Sequence, residues 1–196
     1  AVACLNGLGI FLCTGWQVLV FGGLGAVLAA GYSWLKYHAL GDLDIFLIFS
    51  ILIILGTTYV VTGTVVWDAL VLAPAIGIIT VSVLHVNNTI DIETDRAAGM
   101  HSFAMLLGKK HSVDLYVVYQ LFPFLYMAVA VVLGLLPWYV LVCLPALIPA
   151  SKNIKAARAW RTQGQQAILG LDQATAKLQL VFSLLVTVGL IVAGLL

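Results

Sequence analysis

Long apolar runs alternate with short polar breaks along the whole chain. Apolar stretches occupy Ala1–Cys13, Trp16–Leu35, Asp44–Thr62, Trp67–Val86, Leu115–Leu136, Trp138–Ala150 and Ala174–Leu196. A membrane-crossing helix needs about 20 such residues, so the first run counts as a partial span and most of the others as full ones. The Trp138 run is short and carries Pro145 and Pro149, which predicts a helix that bends or extends past Ala150. The runs are apolar all round rather than alternating with period two. That pattern predicts helices and argues against a membrane barrel. The expected fold is all-α: a polytopic transmembrane helical bundle of about six full spans plus a partial first one. No internal repeat or extramembrane domain interrupts it, so residues 1–196 form one domain.

Composition sharpens this picture. Of the 196 residues 63% are hydrophobic and only 9% charged, against about 25% charged in soluble domains; mean hydropathy is +1.12. A soluble globular domain, a disordered chain and a nucleic-acid binder are excluded. A net charge of +1 gives no bulk field to attract a partner. Cys4, Cys13 and Cys143 sit in apolar runs without CxxC spacing and read as buried, unreactive thiols. The start at Ala1, with no Met and no basic n-region, is not a signal peptide and reads as the interior of a helix.

Charge placement is more informative than charge total. One set of breaks is Tyr32–Asp44, Asn87–Asp114 and Ser151–Lys177; the other is Thr14-Gly15, Gly63–Asp68 and Leu136-Pro137. All nine basic residues lie in or beside the first set, and of the acids only Asp68 lies in the second. The positive-inside tendency makes the first face cytoplasmic. Polar chemistry is expected there. Lys152, Lys155, Arg158 and Arg161 form a basic run that reads as solvated and facing lipid headgroups.

The richest break reads His85-Val-Asn-Asn-Thr-Ile-Asp-Ile-Glu-Thr-Asp-Arg-Ala-Ala-Gly99. Asp91 and Asp95 are four apart, so in a helix both carboxylates share a face. Such a pair can hold Mg²⁺, which takes few carboxylates plus waters and phosphate oxygens. A solvated acidic loop is the competing reading. Glu93 points elsewhere and is expected in solvent. Asn87 and Asn88 can orient a ligand or cap the helix end. Arg96 can grip a phosphate bidentately or pair within the loop with Glu93 or Asp95. Tyr32 and Lys36, again at i and i+4, share a face at the same membrane end. They can contact an anion or simply anchor the interface. His85, one turn before the amides, is expected neutral and hydrogen-bonded.

Together these residues resemble a known family. Asn87-Asn88-x-x-Asp91-x-x-x-Asp95-x-x-x-Gly99, followed by Ser102-Phe103-Ala104 and Leu107-Gly108, is similar to the second aspartate-rich motif of the UbiA superfamily of intramembrane prenyltransferases. Tyr32-x-x-x-Lys36 matches that family's YxxxK element. Asp91 to Gly99 is most similar to the 1,4-dihydroxy-2-naphthoate polyprenyltransferases of menaquinone synthesis. Met100 and His101 stand where those enzymes carry basic residues, and Ile90 stands where a basic residue often precedes the first aspartate. The family has nine helices and a first motif, NDxxDxxxD, that this chain lacks. The spans therefore correspond to a partial third helix through the ninth, and these residues alone are expected to be inactive.

The resemblance implies transfer of a polyprenyl chain from an allylic polyprenyl diphosphate to an aromatic acceptor. The acceptor it implies is 1,4-dihydroxy-2-naphthoate, with decarboxylation to demethylmenaquinone; 4-hydroxybenzoate is the alternative. Asp91 and Asp95 would hold Mg²⁺ and be catalytic together with Tyr32 and Lys36. Asn87, Asn88, Arg96 and Lys36 would bind substrate. The implied setting is the cell (inner) membrane, in contact with lipid, with the site facing the cytoplasm. A small transporter is the remote alternative, but it would need ionisable groups near mid-membrane, and only His85 comes near.

Overall fold

The computed structural model describes residues 2–196, with side chains from Leu5 onward. Its helices are α1 (Val2–Thr14), α2 (Val18–Tyr37), α3 (Gly41–Thr62), α4 (Trp67–Ile90), α5 (Ile92–Ala97), α6 (Phe103–Val132), α7 (Trp138–Ile168) and α8 (Leu171–Leu195). No strand occurs among the described residues. Six of these helices, α2, α3, α4, α6, α7 and α8, are long and apolar enough to cross a membrane. The chain is thus a multi-pass helical bundle, as the apolar pattern predicts.

Helix ends differ from the hydropathy boundaries for local reasons. Hydropathy starts the α6 span at Leu115, but backbone bonding carries that helix back to Phe103 through Lys109 and Lys110. A helix can run past the lipid boundary wherever charged side chains reach water. The Trp138 span begins as a 3-10 helix over Trp138–Ala146 around Pro145, then turns α-helical over Leu147–Gln163. The predicted bend and the extension past Ala150 are both present.

The core lies among α4, α6, α7 and α8, where Ile79, Phe124, Met127, Cys143, Leu178 and Phe182 meet. A second cluster, with Val86, Tyr116, Ala157 and Ile168, closes the charged end. Lining up α3 against α4 requires a glycine. A Cβ on Gly77 would stand 2.4 Å from the Phe46 ring and 2.8 Å from Ser50 Oγ, and that hydroxyl donates to the Ala73 carbonyl at 2.8 Å. Gly108 (φ 70°, ψ 157°) kinks α6 five residues inside its start. By contrast, α2 has no buried residue. Cys13 is exposed on the outward surface of α1, correcting the expectation that it is buried; Cys143 is buried, and Cys4 lies outside the residues whose side chains are described.

The three charged breaks meet at one end of the bundle. Lys36 of α2 pairs with Asp95 of α5, and Arg161 of α7 with Asp114 of α6 at 2.6 Å. Gln165 bonds Lys109 and the Ile90 carbonyl. The basic run on α7 is exposed at Lys152, Lys155, Arg158 and Arg161.

Candidate active site

α4 breaks at Asp91, whose backbone (φ −90°, ψ 6°) leaves the helical region and opens α5. The Asp95 amide still donates to the Asp91 carbonyl at 2.8 Å. The two aspartates therefore remain one turn apart, though on either side of a bend rather than in one straight helix. Asp91 is half-buried and Asp95 is buried. Lys36 Nζ lies 3.6 Å from Asp95 Oδ2. That is an ion pair but too long for a hydrogen bond, so this buried oxygen has no hydrogen-bond partner. The fold thus joins Tyr32-x-x-x-Lys36 to Asp91-x-x-x-Asp95 across 55 residues of chain.

The other site residues divide. Tyr32 is half-buried on α2, within electrostatic reach of Asp44, Asp42 and Asp95. Asn87 is exposed and Asn88 buried, so the adjacent amides face different surroundings. Asn87 stands on the wall of a groove of about 410 Å³ between α3, α4 and α8, lined also by Phe49, Leu84, Asp172 and Gln179. Thr80, Leu84, Asn87 and Asp91 recur at helical spacing, so the groove runs along α4 toward the aspartates. Arg96 does not join this group; it is exposed and turned to Glu93 at 3.5 Å, the intraloop pairing. Glu93 is in solvent, as expected.

Four residues were not legible as site residues. Gln179 donates to Thr80 Oγ1 at 2.8 Å across the groove, and Asp172 lies near its charged end. Asp42 and Asp44 stand in the sequence at the end of the Tyr32–Asp44 break, with no site role assigned to them, yet both are buried within the first turn of α3. Asp42 Oδ2 accepts from His85 Nδ1 at 2.7 Å, and neither Asp44 oxygen has a partner. An acid at the edge of an apolar run is the signal that could have singled them out. His85 is fully buried with both ring nitrogens engaged, Nε2 lying 3.0 Å from Ser112 Oγ.

Among the described residues, no group of three or more His, Cys, Asp or Glu side chains is arranged to enclose a metal ion. Asp91 and Asp95 offer hard oxygens, one of them unpartnered, which fits half of a Mg²⁺ shell completed by phosphate and water.

The family model "UbiA prenyltransferase family" matches residues 1–169. The chain is 34% identical over 193 residues to UbiA prenyltransferase domain-containing protein 1 of Mus musculus, covering 97% of this chain and 55% of that protein. The Homo sapiens protein is 34% identical over 195 residues, covering 97% and 54%. The Drosophila melanogaster homologue is 31% identical over 175 residues, covering 87% and 46%. The chain spans about half the length of these relatives. No solved structure matches. Matching over most of its length and joining that family's tyrosine–lysine and aspartate elements at one membrane end, the chain belongs to the UbiA prenyltransferase family.

Proposed function

We propose that the protein transfers a polyprenyl chain from an allylic polyprenyl diphosphate to an aromatic acceptor, at the end of the bundle where α2 meets α5. The observation that carries this reading is the Lys36–Asp95 pair, which sets a cation and a carboxylate with an unpartnered oxygen beside Asp91 and the open amide of Asn87. A diphosphate needs that combination, because its charge must be shielded before it can leave. The groove below Asn87, lined by Phe49 and Leu84, suits an apolar chain whose charged head stays at the membrane edge.

Asp91 and Asp95 would hold Mg²⁺, which when bound neutralises charge on the leaving diphosphate oxygens. Lys36 is close enough to Asp95 to turn from that carboxylate to a phosphate oxygen, keeping its charge compensated throughout. As the allylic C–O bond breaks, its electron pair leaves with diphosphate. The half-buried Tyr32 ring offers a π face to the cationic carbon. The acceptor ring then forms the new C–C bond. We read the acceptor as 1,4-dihydroxy-2-naphthoate, which loses carbon dioxide in the step to give demethylmenaquinol, the reduced form of demethylmenaquinone; the similarity of Asp91–Gly99 to enzymes of that type supports this choice. The membrane we propose is the cell membrane, with the charged end cytoplasmic.

The test is incorporation of labelled polyprenyl diphosphate into dihydroxynaphthoate by the full-length protein in nanodiscs with Mg²⁺. Asp91→Ala and Asp95→Ala are each expected to cut transfer by about 100-fold or more. Unchanged transfer in either variant refutes the site. Label entering 4-hydroxybenzoate instead refutes the acceptor but leaves the reaction class standing.

A further inference from the structure

On a different face of α4 from the Asn87 groove lies a second cavity, of about 350 Å³, between α3, α4 and α6. Its α4 wall is Ile78 and Val81, which point about 180° and 120° from Asn87 at 100° per residue. This is a different face of the helix from the one that leads to Asp91. Three aromatic rings line the cavity: Phe46, Phe103 and Tyr119. Phe103 and Tyr119 stand edge-on to His85, with centroids 6.1 and 5.3 Å away. Leu43, also in the wall, is exposed, so the cavity opens outward at the charged end of the bundle.

One charged group enters this aromatic wall. Asp42 is 8% exposed. Its Oδ2 is taken by His85, while Oδ1 is buried and has no partner. A buried carboxylate oxygen without a donor is costly. His85 is itself held by Ser112, which also bonds Thr89, so Asp42 is not free to swing away. The cavity therefore presents a fixed hydrogen-bond acceptor among ring faces and no exposed cation. That chemistry excludes a phosphate or carboxylate ligand and selects a neutral aromatic ring bearing a hydroxyl.

We infer that the Asp42 cavity is a binding site for the phenolic ring of an amphiphile entering from the membrane edge, its hydroxyl donating to Asp42 Oδ1. A prenylated phenol product, which has lost its carboxylate, has this chemistry, whereas the carboxylate-bearing acceptor does not. The site rests on the prenyltransferase reading only for the source of its ligand, and its test requires no transfer.

The probes are 1-naphthol and 1-methoxynaphthalene, which differ in having or lacking the donor proton. They compete for photolabelling by an azido-1-naphthol on the full-length protein in nanodiscs, with empty nanodiscs as background. Labelling is expected at Phe103 and Tyr119, and 1-naphthol is expected to compete at least about tenfold better than the ether. Asp42→Asn supplies the sharper arm. The Asn carbonyl can keep the bond to His85, leaving an N–H₂ donor where the free acceptor stood, so the preference for 1-naphthol should fall to unity or reverse. A 2-prenyl-1-naphthol that competes better than 1-naphthol identifies the prenylated product as the occupant; the opposite order shows that the site takes an unprenylated phenol. Equal competition by naphthol and ether, or label confined to the Asn87–Gln179 groove, overturns the proposal. Should Asp42→Asn fail to fold, the two wild-type measurements still decide.

Discussion

The contact between Lys36 and Asp95 can be weighed directly. At 3.6 Å, two unit charges attract by about 1 kcal/mol in a water-like dielectric and by about 5 kcal/mol at an effective dielectric of about 20. The side chains are 19% and 12% exposed, so neither limit applies. Desolvation and the entropy of holding a lysine offset part of the attraction. A coupling of about 1–2 kcal/mol is the expected balance. Lys36→Met and Asp95→Asn remove the charges with little change of shape. The double-mutant cycle is read from denaturant unfolding of the purified protein, because additivity fails only where residues interact. A coupling below about 0.5 kcal/mol refutes the pairing, and with it the argument that the fold joins the two elements. The cycle repeated with Mg²⁺ and a non-hydrolysable prenyl diphosphate should show the coupling reduced, because Lys36 then compensates phosphate instead of Asp95. An unchanged coupling with ligand bound refutes the role given to Lys36.

Other outcomes follow from single contacts. Gly77→Ala puts a methyl into the Phe46 ring and the Ser50 hydroxyl and should cost about 1–3 kcal/mol by thermal unfolding, whereas Gly194→Ala, which meets nothing within 4 Å, should cost nothing measurable. His85→Leu strands the Asp42 carboxylate and should destabilise by about 3–5 kcal/mol; a change below 1 kcal/mol would show that the pair does not form. A membrane-permeant maleimide should modify exposed Cys13 and spare buried Cys143 in the folded protein, read by peptide mass spectrometry.

The number of spans and the face that carries the charges were legible in the sequence because a lipid environment allows little else. A backbone with no water to bond must close its hydrogen bonds as helix, and nine basic residues confined to alternate breaks leave one topology. What hydropathy could not reach was direction. Asn87 and Asn88 are equivalent as neighbouring amides, yet one lines a groove and the other is buried, and only the packing of α3 against α4 separates them. Arg96 stands next to Asp95 in sequence but turns to Glu93, while Lys36, 59 residues away, takes the carboxylate.

The same reasoning explains why the burial of Asp42 and Asp44 is not legible in the sequence. Hydropathy places the edge of the membrane at Asp44, the first residue of the apolar run, and an acid at that edge is cheap because it can reach water. Helix α3 starts three residues earlier than the hydropathy boundary, at Gly41, and this draws both carboxylates into the bundle. There the cost of a charge depends on its partners. Asp42 has one in His85, and Asp44 has none. A pair this buried is poor evidence for stability, since a well-packed apolar pair often serves as well. Its place beside an aromatic cavity fits the ligand proposed for the free oxygen. The bundle therefore carries two polar features at one membrane edge, on different faces of α4: the Lys36–Asp95 pair beside Asp91, proposed to hold a diphosphate, and the buried Asp42 carboxylate, proposed to receive a hydroxylated ring.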